Sequence, residues 1–179
     1  MSGKASDIVA ILTEDHDRLL VLFAAFERLR PSASEDARQS MVEIACTEIV
    51  IHAQVEEGIL YPAMADAMDD VFPIEQSEVH HLVMGRLVAE LETMQAGDRL
   101  YDAKFAVLAT CLSAHIEHEQ TRLLPLMAGL DLPFDALAQD VHARRRELRS
   151  EFGLPDAGLD EADASYRYHE ARRPHYRHH

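Results

Sequence analysis

The sequence predicts an all-α fold: an up-down-up-down four-helix bundle, a short C-terminal fifth helix and a flexible tail. Three observations carry that reading. Apolar residues recur at helical spacing almost throughout, the interruptions between helical stretches are short, and one pair of helices is repeated along the chain. Long helices joined by short connections pack most simply as antiparallel neighbours.

The first helix follows Ser6-Asp7, a candidate cap. Ile8, Ile11, Leu12, Leu19, Leu22, Phe23 and Phe26 mark its apolar stripe, which ends near Arg30-Pro31. Ser34-Glu35-Asp36 opens a second helix, with Met41, Ile44, Ala45, Ile49, Ile59 and Leu60 on its apolar side and Pro62 placed to kink or loosen its last turns. Phe72-Pro73 breaks the chain before a third helix from about Ile74 to Gln95, closed by Ala96-Gly97-Asp98. A fourth runs from about Leu100 to Met127, again with a proline, Pro125, near its end. Residues 1–131 thus form the bundle. Residues 132–152 supply the fifth helix, over Phe134–Phe152, with an outer face made basic by Arg144, Arg145, Arg146 and Arg149; the arginines read most simply as a solvated face, with packing against the acidic bundle as the alternative. Residues 153–179 hold few apolar side chains and read as the tail.

Composition narrows the function. A hydrophobic content of 47% in 179 residues suffices for a substantial core. No apolar run reaches the roughly 18 residues that a membrane span needs, so no membrane association is expected. The opening residues lack a secretion-signal pattern, and Cys46 and Cys111 are expected as buried thiols; the expected location is the cytoplasm. The net charge of −15 is uneven, since residues 1–139 hold 24 acidic and 9 basic side chains while residues 140–179 hold 8 of each. An acidic bundle repels phosphate backbones, which argues against nucleic acid as a main partner. Nothing identifies a protein partner.

The repeat is where the chemistry lies. After His16 come Leu19, Leu22, Phe23 and Phe26; after His81, at the same intervals, come Met84, Leu87, Val88 and Leu91. His52 and Glu56 precede Tyr61-Pro62, and His115 and Glu119 precede Leu124-Pro125, each proline ten residues after its histidine. In each His-x-x-x-Glu pair the four-residue spacing puts imidazole and carboxylate on one helical face. His16 and His52 fall on core-directed positions. Carboxylates there would be costly to bury without partners, and metal ions remove that penalty. A single His-x-x-x-Glu pair is common on helices and by itself says little. Two such pairs, each with a following proline and a preceding histidine-bearing helix, point to two similar half-sites around metal. Four imidazoles and two carboxylates shared by two ions leave positions for water, hydroxide, oxo or a small molecule.

His80 competes with His81, but its register puts Arg86 on the core stripe, so His80 reads as exposed or one layer out. His118 reads as peripheral, Glu57 as a solvated charge with a spare carboxylate ligand as the alternative, a ligand role open to His80 as well, and Cys111 and Glu48 as residues one turn before His115 and His52 that line the same cavity. Imidazole with carboxylate suits iron, manganese or zinc, and the absence of converging cysteines argues against an iron–sulfur cluster.

These segments resemble the hemerythrin-like, or HHE cation-binding, family: Glu14-Asp-His16-Asp-Arg-Leu, His52-Ala-Gln-Val-Glu56 through Pro62, Val79-His-His81, Leu100-Tyr-Asp-Ala-Lys104, and His115-Ile-Glu-His-Glu119 through Pro125, over about residues 8–130. The resemblance implies a non-haem di-iron centre with an oxo, hydroxo or water bridge, ligated by His16, His52, Glu56, His81, His115 and Glu119, with the glutamates joining the irons. Oxygen-carrying members place a second histidine four residues after the third-helix ligand, where this chain has Gly85. That departure favours acting on or sensing O2, NO or peroxide, or a role in iron homeostasis, over simple O2 carriage. The competing readings are a di-iron enzyme that decomposes peroxide or reduces NO, and a metal-free structural bundle.

Overall fold

The computed structural model describes residues 2–154, with side chains from Asp7 onward; the predicted tail lies outside these residues from position 155. Helix α1 spans Ser2–Leu29. Ser6 and Asp7 therefore fall inside it rather than capping it; Gly3 is the only residue ahead of them that disfavours helix, and it does not end the run. Helix α2 is α-helical over Glu35–Val55, widens to a π turn over Glu56–Leu60 and returns to α over Tyr61–Ala65. Its start is capped as predicted, the Ser34 hydroxyl accepting from the Ala37 N–H. Helix α3 spans Phe72–Glu92. It begins two residues before the expected Ile74, because a proline in the first turn, where N–H groups have no helical acceptor, starts a helix instead of breaking one.

Helix α4 repeats the pattern of α2, with α segments over Tyr101–His118 and Leu124–Gly129 around a π turn over Glu119–Leu123. Helix α5 spans Phe134–Glu151. The link between α3 and α4 turns at Gly97, whose φ of 113° suits glycine and where a Cβ would stand 2.7 Å from a carboxylate oxygen of Glu35 at the start of α2.

α1 packs on α2 and α4, and α3 packs on α2 and α4, which closes a ring of four antiparallel neighbours. The apolar interior is split in two. At one end Leu19, Phe23, Phe26, Ile49, Met84, Val88, Phe105 and Leu112 are buried together, with Phe105 stacked on Phe23 at a ring separation of 4.4 Å. At the other end are Ile8, Leu12, Ile51, Val55, Met64, Ile74, Leu123 and Met127. Each of the four bundle helices crosses from one apolar cluster to the other, with His16, His52, His81 or His115 close to the crossing. The polar residues thus form a layer between two oily caps.

Helix α5 lies along α1, α2 and the first π turn, and buries Leu137, Val141 and Leu148 in the second cluster. Its predicted basic face divides between solvent and the acidic bundle. Arg146 is exposed and Arg144 half-buried, but Arg145 and Arg149 turn inward and are 9% and 6% exposed. The reason is pairing: Arg145 donates to Asp15 of α1, and Arg149 to Glu48 of α2.

Candidate metal centre

The local backbone aims the site. Pro62 and Pro125 lack the N–H that an α-helix would use at those positions, and their rings would crowd the carbonyl four residues back. Both helices respond by widening one turn earlier, where the N–H of Tyr61 donates to the Glu56 carbonyl and that of Leu124 to the Glu119 carbonyl, five residues apart. Each π turn begins at the glutamate of a His-x-x-x-Glu pair.

The six side chains singled out in the sequence converge. His16 and His115 are fully buried, and His52, Glu56, His81 and Glu119 are between 1% and 5% exposed. One donor atom each from His16, His52, Glu56, His115 and Glu119 lies within 4.8 Å of all the others. His81 stands at the edge of that group, with Nε2 3.3 Å from both Glu56 Oε2 and His115 Nε2. Glu56 is central: it approaches His52 Nε2 at 3.2 Å, His115 Nε2 at 3.7 Å and His16 Nε2 at 3.9 Å, besides His81. Glu119 reaches His16 Nε2 at 3.2 Å and His115 Nε2 at 3.7 Å, so each carboxylate touches imidazoles of both halves.

Hydrogen bonding alone does not account for this arrangement. His115 Nε2 faces His52 Nε2 at 3.2 Å and His81 Nε2 at 3.3 Å, and a single proton can serve one such contact. His16 Nε2 and Glu119 Oε2 are buried without a hydrogen bond among the described residues, despite their proximity. Three ring nitrogens and two carboxylates directed at one small volume suit a cation. Two nitrogens bound at about 2.1 Å to one ion, at slightly more than a right angle, stand roughly 3.2 Å apart. The residues present fit a metal.

The electrostatics agree. Burial opposes ionisation of Glu56, yet His52, His115 and His81 outweigh it and hold its carboxyl well below the usual range. Burial also works against a proton on His81, but Glu56 and Glu57 raise its pKa. On His115 burial prevails and the pKa falls.

The surrounding residues depart from expectation in instructive ways. Glu57 is about half exposed, but it is not merely solvated: its Oε1 stands 2.8 Å from His81 Nδ1 and fixes the far side of that ring. His80 is half-buried, edge-on to His115 and His118, and burial lowers its pKa. His118 donates from Nε2 to the Pro73 carbonyl at 2.9 Å, which ties α4 to the start of α3. Glu48 turns to Arg149.

Tyr61 was missed. Its buried hydroxyl lies 3.0 Å from Glu56 Oε2 and 2.8 Å from Glu119 Oε1, between the two carboxylates, and its ring stacks on His81. Burial, with both carboxylates adding to it, pushes its pKa far above the ordinary phenol value, so it keeps its proton. On a regular α-helix, residue 61 would point about 140° away from residue 56. The π turn brings them together, and Pro62 directly after an aromatic residue was the available signal.

A helical bundle that buries four imidazoles and two carboxylates between two apolar caps is a metal-binding domain. The family model of the Hemerythrin HHE cation binding domain matches residues 7–127, more than half of the chain, and the chain belongs to that family. Neither the curated proteins nor the solved structures yielded a match. Among the described residues, no helix is long and apolar enough to cross a membrane.

Proposed function

We propose that His16, His52, Glu56, His81, His115 and Glu119 hold two iron ions bridged by Glu56 and Glu119, and that the centre binds or senses a small ligand such as O2, NO or peroxide, or serves iron homeostasis. The carrying observation is the reach of Glu56, whose two oxygens stand within 3.9 Å of all four imidazoles. Nitrogen-rich donors with carboxylates suit iron, and suit manganese and zinc as well. Bound iron would supply Lewis acidity and redox chemistry toward the ligand. The chain's own residues do the rest. The two apolar clusters keep water from the layer, Glu57 orients His81, and Tyr61 holds a proton between the carboxylates. Gly85, one turn beyond His81, has no side chain to offer the metal layer.

Anaerobic loading with Fe(II), followed by elemental analysis, tests the metal. Two irons per chain are expected. A chain purified without a chelating column that stays metal-free and takes up none would leave the structural bundle as the reading. Exposure of the loaded protein to O2, NO and peroxide then tests the role. A reversible spectral change without turnover supports sensing, whereas catalytic consumption of peroxide or NO makes the protein an enzyme.

A further inference from the structure

Next to the metal layer lies a second group of buried charge, which the six candidate ligands do not use. Asp15 and Glu48 of the bundle are 5% and 7% exposed, and Arg145 and Arg149 of α5 complete it. Arg145 donates to Asp15 Oδ2, and Arg18 holds the other oxygen, Oδ1. Asp15 Oδ2 in turn stands 3.7 Å from His52 Nδ1, a buried nitrogen without a hydrogen bond among the described residues. The imidazole therefore faces Glu56 with Nε2 and the arginine-held carboxylate with Nδ1. Histidine ligands to metals usually present their second nitrogen to such a carboxylate, which fixes the ring and its tautomer. The arrangement belongs to one half of the repeat only. The positions matching Asp15 and Glu48 are His80 and Cys111, and α5 packs on α1 and α2.

We propose that α5 is a working part of the metal site: Arg145, acting through Asp15, sets the orientation of His52, so that docking of α5 and metal retention beside His52 favour each other. This rests on the reading of the six side chains as metal ligands. Arg145 and Asp15 are positioning residues, since neither reaches the metal layer itself. Their effect falls on one ion more than the other, because His81 is oriented by Glu57 and not by α5. The coupling must also run in reverse: metal that favours the docked helix makes α5 harder to open.

The test uses the full chain loaded with Fe(II) under anaerobic conditions, with release into a ferrous chelator followed in time. Arg145→Met and Asp15→Asn are each expected to speed release of one of the two ions about 10- to 100-fold. The double variant should add little to either single change, and Arg146→Met, an exposed neighbour on the same helix, should match wild type. Amide hydrogen exchange over residues 134–151 of wild-type protein should slow when iron is added. Folded Arg145→Met protein that releases iron at the wild-type rate overturns the proposal. So does exchange in α5 that ignores iron, a measurement that stands even if the variants fail to fold. A wild-type chain that retains no iron overturns the metal reading and this proposal together; wild type that retains iron with unaffected variants overturns the proposal alone.

Discussion

Helices α1 and α2 on one side, and α3 and α4 on the other, carry the same working skeleton. His16 matches His81, His52 matches His115, Glu56 matches Glu119, and each glutamate opens a π turn ahead of a proline. Around that skeleton the halves diverge. Asp15 has His80 as its counterpart, Glu48 has Cys111, Glu57 has Gln120, and Tyr61 has Leu124. Every acid in that set, and the tyrosine, sits in the first half. The difference teaches that spacing along a helix preserves the converging donors, whereas the residues around them follow from what lies outside. α5 and its arginines cover the first half, and Glu57 and Tyr61 of that half reach across to His81 and Glu119.

The largest expected effect compares the two glutamates. They are equivalent in the repeat but not in reach, since Glu56 approaches four imidazoles and Glu119 two. Glu56→Ala should retain almost no iron after loading and desalting, and Glu119→Ala about one ion per chain. Equal losses by elemental analysis would restore the symmetry.

Next comes the buried charge. Arg149→Met leaves Glu48 buried without the guanidinium that holds it, at a cost of about 3 kcal/mol in denaturant unfolding. Cys111→Ser, at the position matching Glu48, should cost under about 1 kcal/mol. A loss for Cys111→Ser as large as that for Arg149→Met would break the distinction between the covered and uncovered halves.

Tyr61→Phe removes a hydroxyl that serves two buried carboxylates, and should destabilise the metal-free protein by about 2 kcal/mol. An unchanged midpoint would mean that the hydroxyl matters only to the loaded site, or not at all.

The smallest perturbation concerns the thiols. Burial, helped by Glu92 and Glu43, pushes Cys46 up to about 12, and its sulfur is enclosed by the apolar cluster around Phe105. Cys111 is only partly buried. Limited alkylation of native protein should label Cys111 and spare Cys46, as read by peptide mass spectrometry; early labelling of Cys46 would show that end of the bundle to be open.

Much of this was legible before any coordinates. Helix positions and the convergence of His16, His52, Glu56, His81, His115 and Glu119 follow from i, i+4 spacing and the apolar stripes, both properties of a few neighbouring residues. The register of α3 also separates its two histidines: His81 is buried against Glu56, and His80 is half-buried beside His115 and His118. Tyr61 was not legible, because the periodicity used to place it is the one that the π turn breaks. The contact of Glu57 with His81 was not legible either, since that partner lies on another helix.

The sequence by itself determined where helices form, where they stop and which polar side chains share a face with the core, because each of these is settled within one or two turns of chain. Only the tertiary structure decided that Arg145 and Arg149 turn inward. A basic stripe on an isolated helix belongs in water, and burial becomes favourable only when carboxylates 130 and 101 residues away stand opposite the guanidinium groups.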